Sequence, residues 1–315
     1  MSLPSGYGWK LRLAFNAAIL MRKLGLYPNY DAVAKWPAAK RKALKPANWA
    51  TFPPPASVKM NRETIASRGG PMEVKWFRTK PDQAPSILFI HGGGWVVGGL
   101  DSLDYLCSNL CDRLGVAVVA VDYRLAPDHK FPSGLEDCYD ALKWVAAQAP
   151  GPVTVIGDSA GGNLSAALCI LARDSGGPAI AHQTLIYPAL DLMMESQSLI
   201  TNADGLASRD DLAMVAGFYL GDHDPRDPLV SPIHAKNLRD LPPAFIVTAD
   251  CDLLRDDGPR YAECLRAAGV RVRYENYPNM PHAFLSQPKL CPGAAGALTD
   301  IIEEMRPHLQ SQVIS

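Results

Sequence analysis

Gly157-Asp158-Ser159-Ala160-Gly161-Gly162 lies between the short apolar run Val153–Ile156 and a helical stretch that continues to Arg173. A strand that ends in G-x-S-x-G and turns at once into a helix presents its serine hydroxyl at the carboxyl edge of a parallel sheet. The flanking glycines fit a turn too sharp for side chains. The N-terminus of the following helix favours negative charge developing beside the serine. With Gly and Ser each near ~7% of residues, a chain of this length shows G-x-S-x-G by accident roughly 0.1 times, so its weight comes from its place between strand and helix.

Outward from this turn the chain repeats a strand-and-helix rhythm. Ser86–Ile90, Val116–Val121, Thr184–Tyr187 and Ala244–Thr248 are short apolar runs, as expected of strands covered on both faces of a parallel sheet. Val270–Tyr277 alternates and predicts a strand nearer an edge, while Val58–Ala66 and Met72–Arg78, split by Gly69-Gly70-Pro71, predict two earlier strands. Between them, Ser133 and Glu136 read as a capping box ahead of the stripe Leu135, Cys138, Leu142 and Val145. Asp256–Ala268 predicts a further helix, and Leu298, Ile301, Ile302, Met305 and Leu309 stripe a last one. The alternation predicts an α/β architecture, a mostly parallel sheet of about eight strands with helices on both faces. Residues 191–241 break the rhythm: no strand pattern occurs, Ser208-Arg209-Asp210-Asp211 reads as a helix start, and Gly221 stops that helix. An insertion at the carboxyl edge of such a sheet commonly roofs the site there.

A serine hydroxyl is a weak nucleophile until a base takes its proton and a third group orients that base. His91-Gly92-Gly93-Gly94-Trp95 follows the strand Ser86–Ile90, where glycine backbone can approach a substrate oxygen closely. The N–H groups of Gly93, Gly94 and Ala160 are therefore the candidate oxyanion donors, and His91 reads as a loop brace. In this order of elements the base comes last, and placement just past the last strand favours His282 in Asn279-Met280-Pro281-His282-Ala283-Phe284 over His308 on the terminal helix. The acid should follow the strand Ala244–Thr248. Asp256 and Asp257 read as charges at a helix start, and spacing alone leaves Asp250 and Asp252 open. These patterns together point to acyl transfer and to ester hydrolysis before amide hydrolysis or other acyl transfer on the same scaffold. Retention of all three groups argues against a non-catalytic receptor.

From about Pro85 to Phe284 the chain resembles the bacterial hormone-sensitive lipase family of α/β-hydrolases, particularly its acetyl-esterase-like members. The resemblance is carried by His91–Trp95, Asp122-Tyr123-Arg124-Leu125-Ala126-Pro127, Gly157–Asn163, Asp252-Leu253-Leu254-Arg255-Asp256-Asp257-Gly258 and His282-Ala283-Phe284. It implies an α/β-hydrolase fold and a Ser159–His282–Asp252 triad, so the family pattern selects Asp252 over Asp250. It also implies short-chain acyl esters as substrates, an acyl-enzyme intermediate, and no metal or organic cofactor. Leu253 stands where the family usually has proline, and Ala283 where many members have glycine. Asp122 and Arg124 are assigned structural pairing. Trp95, with Met214, Phe218 and Tyr219 from the roof, is expected to line the substrate pocket. Residues 51–190 and 236–315 are expected to form the hydrolase core, and residues 1–50 and 191–235 a two-part helical cap.

The 31 basic and 32 acidic residues balance to a net charge of −1, without the basic face that nucleic-acid binding requires. Seven scattered cysteines do not form a disulfide framework, and Cys107 and Cys111 read as packing residues on one helix. No segment reaches the ~18 apolar residues of a membrane span. The run Leu11–Leu24 is interrupted by Asn16 and followed by Arg22 and Lys23 where a signal-peptide cleavage site would need small residues. Its stripe of Leu13, Ala17, Leu20, Met21 and Leu24 predicts an amphipathic helix, packed on its own protein in preference to dipping into a lipid surface. The expected partner is a small ester, the expected location is cytoplasmic, and the resemblance allows a homodimer.

Overall fold

The strands β1 (Lys59–Ser67), β2 (Gly70–Arg78), β3 (Pro85–Ile90), β4 (Ala117–Val121), β5 (Val153–Asp158), β6 (Ile180–Ile186), β7 (Ala244–Ala249) and β8 (Val272–Tyr277) join one sheet in the order β1-β2-β4-β3-β5-β6-β7-β8. This computed structural model describes residues 7–26, 29–149, 151–202 and 207–310. Residues 1–6, 27–28 and 203–206 of the two expected cap segments therefore lie outside the described residues. The β1–β2 and β2–β4 pairs are antiparallel and all later pairs parallel. Strand order reverses at β3, which lies between β4 and β5. A crevice opens at such a switch point, outside the carboxyl ends of the strands.

The helices are α1 (Trp9–Lys23), α2 (Tyr30–Ala34), α3 (Ala38–Lys42), α4 (Asp104–Leu114), α5 (Ser133–Ala146), α6 (Ala160–Asp174), α7 (Ser198–Thr201), α8 (Arg209–Leu220), α9 (Asp257–Ala267) and α10 (Gly293–Gln310). Alternation along the strands sends Leu88, Ile90, Val119, Val121, Val155 and Ile246 to the face covered by α5, α6 and α9. Ile87, Phe89, Val118, Ile156, Phe245 and Val247 go to the opposite face, under α4 and α10. Strands apolar at successive positions are the consequence of a sheet covered twice. β8 is only partly buried, as its alternating sequence predicts. All seven cysteines are free, and Cys107 and Cys111 are buried under the sheet.

The insert behaves as expected at its second helix. The Ser208 hydroxyl accepts from the Asp211 N–H while the Asp211 carboxylate accepts from the Ser208 N–H, and Gly221 ends α8 at φ 60°. Helices α1 and α2 lie beside this insert: α2 contacts α8, and the Arg22 guanidinium donates to both Asp211 oxygens at 2.7 and 2.8 Å.

Two local expectations are corrected. Ser133 is not an N-cap, because α5 begins at Ser133 after Pro132 with no side-chain capping bond. Glu136 faces Arg68 at 3.4 Å and Arg124 at 3.8 Å instead, so two cations outcompete a single backbone N–H. The stripe Leu13, Leu20, Met21 and Leu24 of α1 does not pack on its own protein. It faces solvent, while Leu11 and Phe15 on the other side of the helix are buried. Both faces of α1 are apolar. The one that turns inward also carries Arg22 to its partner on α8 and sets Phe15 edge-on to Tyr7.

Candidate active site

At the end of β5 the chain reverses into α6 through Ser159, whose φ of 54° and ψ of −119° are forced on a residue other than glycine. Such backbone is costly and persists only where the surroundings over-determine it. Here the Ser159 N–H donates to Ile186 O at 2.8 Å, and Ser159 O accepts from the Asn163 N–H at 3.0 Å. The two motif glycines are required by close approach. A Cβ on Gly157 would lie 2.2 Å from Gly161 O, and one on Gly161 would lie 2.0 Å from Ile90 O.

The Ser159 hydroxyl and the His282 Nε2 are 2.9 Å apart, and His282 Nδ1 is 2.7 Å from Asp252 Oδ2. An imidazole that donates from Nδ1 to a carboxylate presents an acceptor lone pair at Nε2. Asp252 is almost wholly buried, and its other oxygen accepts from the Leu254 N–H at 2.9 Å. Asp250, the competing acid, is instead 44% exposed and lies 3.9 Å from Arg255. The Asn202 amide clamps the loop by donating to the carbonyls of Asp250 and Asp252. The Tyr187 ring meets His282 edge-on, with centroids 5.0 Å apart. Ala283, where the family pattern often has glycine, is left-handed at φ 59°, which explains that preference.

Gly93 (φ 115°) and Gly94 (φ 59°) wind the loop after β3 so that it borders the same cavity. Ala160 is the first residue of α6. Among the described residues, none accepts a hydrogen bond from the N–H of Gly93, Gly94 or Ala160. The loop is braced from behind. The Gly92 N–H donates to Asp158 Oδ1 at 2.7 Å, and the Tyr123 hydroxyl donates to His91 O at 2.9 Å. The His91 ring stacks on Tyr123, 4.3 Å between centroids, and burial lowers its pKa to about 4. A neutral, buried His91 bonded to Gly92 O is the loop brace expected. Burial pushes the Asp158 carboxyl up to about 6 despite the opposing Gly92 N–H. Asp122 pairs with Lys42 at 2.6 Å and Arg124 with Asp137 at 2.8 Å, away from the serine.

The cavity over Ser159 has a volume of about 260 Å³, and Val97, Leu212, Val215, Leu253 and Leu254 are its apolar walls. Trp95, Met214, Phe218 and Tyr219 do not line it, which corrects the expected pocket. Trp95 and Tyr219 stack on each other, 4.5 Å between centroids and both buried, so they join the loop after β3 to α8. Met214 is on the outer side of α8 and 39% exposed, and Phe218 packs against the core. Leu212 and Val215 were missed, although they begin the i, i+3, i+7 stripe that Tyr219 completes. Leu253, in the family's proline position, is a wall residue. Asn202 carried no sequence signal, since its partners are backbone carbonyls 48 and 50 residues away.

Among the described residues, one grouping approaches as metal ligands do: His182, Glu304 and His308, with donor atoms within 4.8 Å of one another. It lies on β6 and α10, away from Ser159, and Arg271 already donates to His308 Nε2 at 2.7 Å.

A family model described as the alpha/beta hydrolase fold matches residues 87–286. The chain is 40% identical to the carboxylic ester hydrolase LipN of Mycobacterium tuberculosis over 78% of this chain and 69% of that protein. It is 41% identical to the carboxylesterase NlhH of the same species over 72% and 75%. Among solved structures, a hyperthermophilic esterase from the archaeon Pyrobaculum calidifontis superposes with a TM-score of 0.75 at 32% identity, covering 95% of this chain and 92% of that one. The carboxylesterase EstE1, cloned from a metagenomic library, gives a TM-score of 0.76 at 36% identity over 83% and 92%. An eight-stranded sheet with its serine turn at the switch point, a family match across most of the core and esterase relatives at this identity agree: the chain belongs to the α/β-hydrolase family, in its hormone-sensitive-lipase-like esterase branch.

Proposed function

We propose that this esterase hydrolyses esters of short acyl groups through an acyl-enzyme formed on Ser159. His282 takes the Ser159 proton as the hydroxyl oxygen attacks the ester carbonyl, and Asp252 orients the imidazole and stabilises its charged form. The negative charge of the tetrahedral intermediate falls on an oxygen facing the N–H groups of Gly93, Gly94 and Ala160. His282 then returns the proton to the departing alkoxide. Water, deprotonated by the same imidazole, attacks the acyl carbonyl and releases the acid and the free serine. The hydrogen-bonded row Ser159–His282–Asp252, at 2.9 and 2.7 Å, is the observation that carries this reading.

The small volume and apolar walls of the cavity at Ser159 support short acyl groups. The leaving oxygen must be near His282 Nε2. His282 also borders a larger cleft of about 690 Å³, lined by Phe15, Arg22, Tyr30, Trp36 and Trp49, which supports a roomier berth for the alcohol portion. In this reading residues 1–50 and 191–235 form the two-part cap over a core of residues 51–190 and 236–315. Hydrolysis rates for nitrophenyl esters of increasing acyl length, with Ser159→Ala as control, test the proposal. The expected kcat/KM is highest for acetate to butyrate and falls beyond. A maximum at long acyl chains, or retained turnover in Ser159→Ala, refutes it.

A further inference from the structure

The outward face of α1 has an unusual combination of features. Trp9, Leu13, Leu20 and Leu24 recur at intervals of four, seven and four, which places them on one side of the helix, and they are 72, 65, 56 and 62% exposed. Trp49 (63%) and Phe52 (45%) extend this apolar surface from the neighbouring loop. Trp9, Leu13, Trp49 and Phe52, together with Ala17, Met21 and Leu290, border an open groove of about 890 Å³ whose charged lining residues are Lys10 and Lys289. Scattered exposed apolar side chains are ordinary, but a continuous patch of this kind marks an interaction surface.

Charge identifies the occupant. Residues 1–50 carry nine Lys and Arg and a single Asp, while residues 51–315 carry 22 Lys and Arg against 31 Asp and Glu. Arg22, Lys35, Arg41 and Lys42 are engaged in ion pairs with Asp211, Asp31, Asp128 and Asp122. Lys10, Lys23 and Lys45 are exposed and form no ion pair among the described residues. A helix with bulky apolar residues on one face and lysines at its flanks has the composition of an interfacial anchor. A protein whose basic excess is concentrated in residues 1–50, with Lys10 and Lys289 at the border of its apolar patch, is complementary to a negatively charged lipid surface. A second copy would bring the same lysines against each other in a two-fold contact, which disfavours it.

The patch is also continuous with the route to the site. Ala14, Ala18 and Trp49 border both the outer groove and the cleft that reaches His282. We propose that α1, with Trp49 and Phe52, docks the protein onto an anionic lipid surface, turning the mouth of its catalytic cleft toward the hydrocarbon boundary where lipophilic esters concentrate. The helix lies along the interface with its Trp and Leu side chains in the acyl region, and Lys10, Lys23, Lys45 and Lys289 meet headgroup phosphates.

Co-sedimentation of the untagged full chain with vesicles tests this. One set is phosphatidylcholine alone and the other equal parts phosphatidylcholine and phosphatidylglycerol. The expected result is binding to the mixed vesicles that weakens as salt rises. Binding should fall by about tenfold or more in the Leu13→Asp/Leu20→Asp variant and in the Lys10→Glu/Lys23→Glu variant. Both variants should keep wild-type hydrolysis of soluble nitrophenyl acetate, which separates loss of docking from loss of folding or of the esterase reaction. Absence of binding to either vesicle, equal binding to both, or binding unchanged in the variants overturns the proposal. So does a dimer in sedimentation velocity that Leu13→Asp/Leu20→Asp dissociates, since the face would then belong to a second copy.

Discussion

Ser159 and His282 meet across 123 positions of sequence, and each depends on a neighbour held by strain or burial. Ser159→Ala and His282→Ala should each reduce kcat by about three to six orders of magnitude with thermal unfolding unchanged, because the row of hydrogen bonds acts as a unit. Asp252→Asn should be similarly damaging and Asp250→Asn nearly silent, given that only the former carboxylate reaches the imidazole. The reverse outcome in a side-by-side assay would overturn the acid assignment. Asp158 offers a test by pH. Its carboxyl is pushed up to about 6 in the folded protein, above the usual 3.8. Between those values the folded state keeps a proton that the unfolded chain has lost, so this group makes stability fall as pH rises through the window. Asp158→Asn keeps an acceptor for the Gly92 N–H and removes the titration. Denaturant unfolding from pH 4 to 7 should show the variant gaining on the wild type as pH rises, by as much as about 3 kcal/mol.

At the scale of elements, the site is where five segments converge: the glycine loop after β3, the turn between β5 and α6, the loops after β7 and β8 that carry Asp252 and His282, and α8 above them. Val215 sets the fit between the first and the last. A Cβ added to Gly94 would lie 2.5 Å from Val215 Cγ1, on a backbone at φ 59° that already favours glycine. Gly94→Ala should therefore displace either the loop or α8 and reduce kcat by about tenfold or more, with a smaller effect on KM. Val215→Ala should widen the cavity and move the preferred nitrophenyl ester toward longer acyl groups, and an unchanged profile would show that Val215 does not limit it. The link between α1 and α8 is a partly buried ion pair in which Arg22 Nη2 meets both Asp211 oxygens, so Arg22→Ala should cost about 1 kcal/mol in denaturant unfolding and leave the core's elements intact.

For the molecule as a whole, stability and chemistry are separated by the sheet. The catalytic row sits at the carboxyl edge of the strands. Ile301 of α10 is fully buried against the face opposite α6. Ile301→Ala should destabilise by about 2–5 kcal/mol while kcat/KM of the remaining folded enzyme stays at the wild-type value. The rhythm of apolar runs was enough to place β3 to β7 within a few residues, since a strand buried on both faces has to be apolar at successive positions, while β1, β2 and β8 were legible from the Gly69-Gly70-Pro71 turn and from alternation. Ser159 and His282 were legible for a similar reason. A serine elbow needs glycines at fixed offsets, and of the two histidines after the last strand His282 directly follows it while His308 belongs to the terminal helix. Asp252 needed the family pattern, because Asp250 satisfies the same linear spacing. Trp95 and Tyr219 were misread as pocket walls because aromatic side chains near a site can equally fasten one layer to the next, and composition does not distinguish these roles. The face of α1 was misread because both sides of that helix are apolar and periodicity does not say which side meets the core. Local rules therefore specify the strands, the elbow and the glycine loop, whose constraints act over a few residues. The choice of acid, the cavity walls and the outward turn of the Trp9–Leu24 face depend on contacts between segments tens to hundreds of residues apart, and those arise when the chain closes on itself.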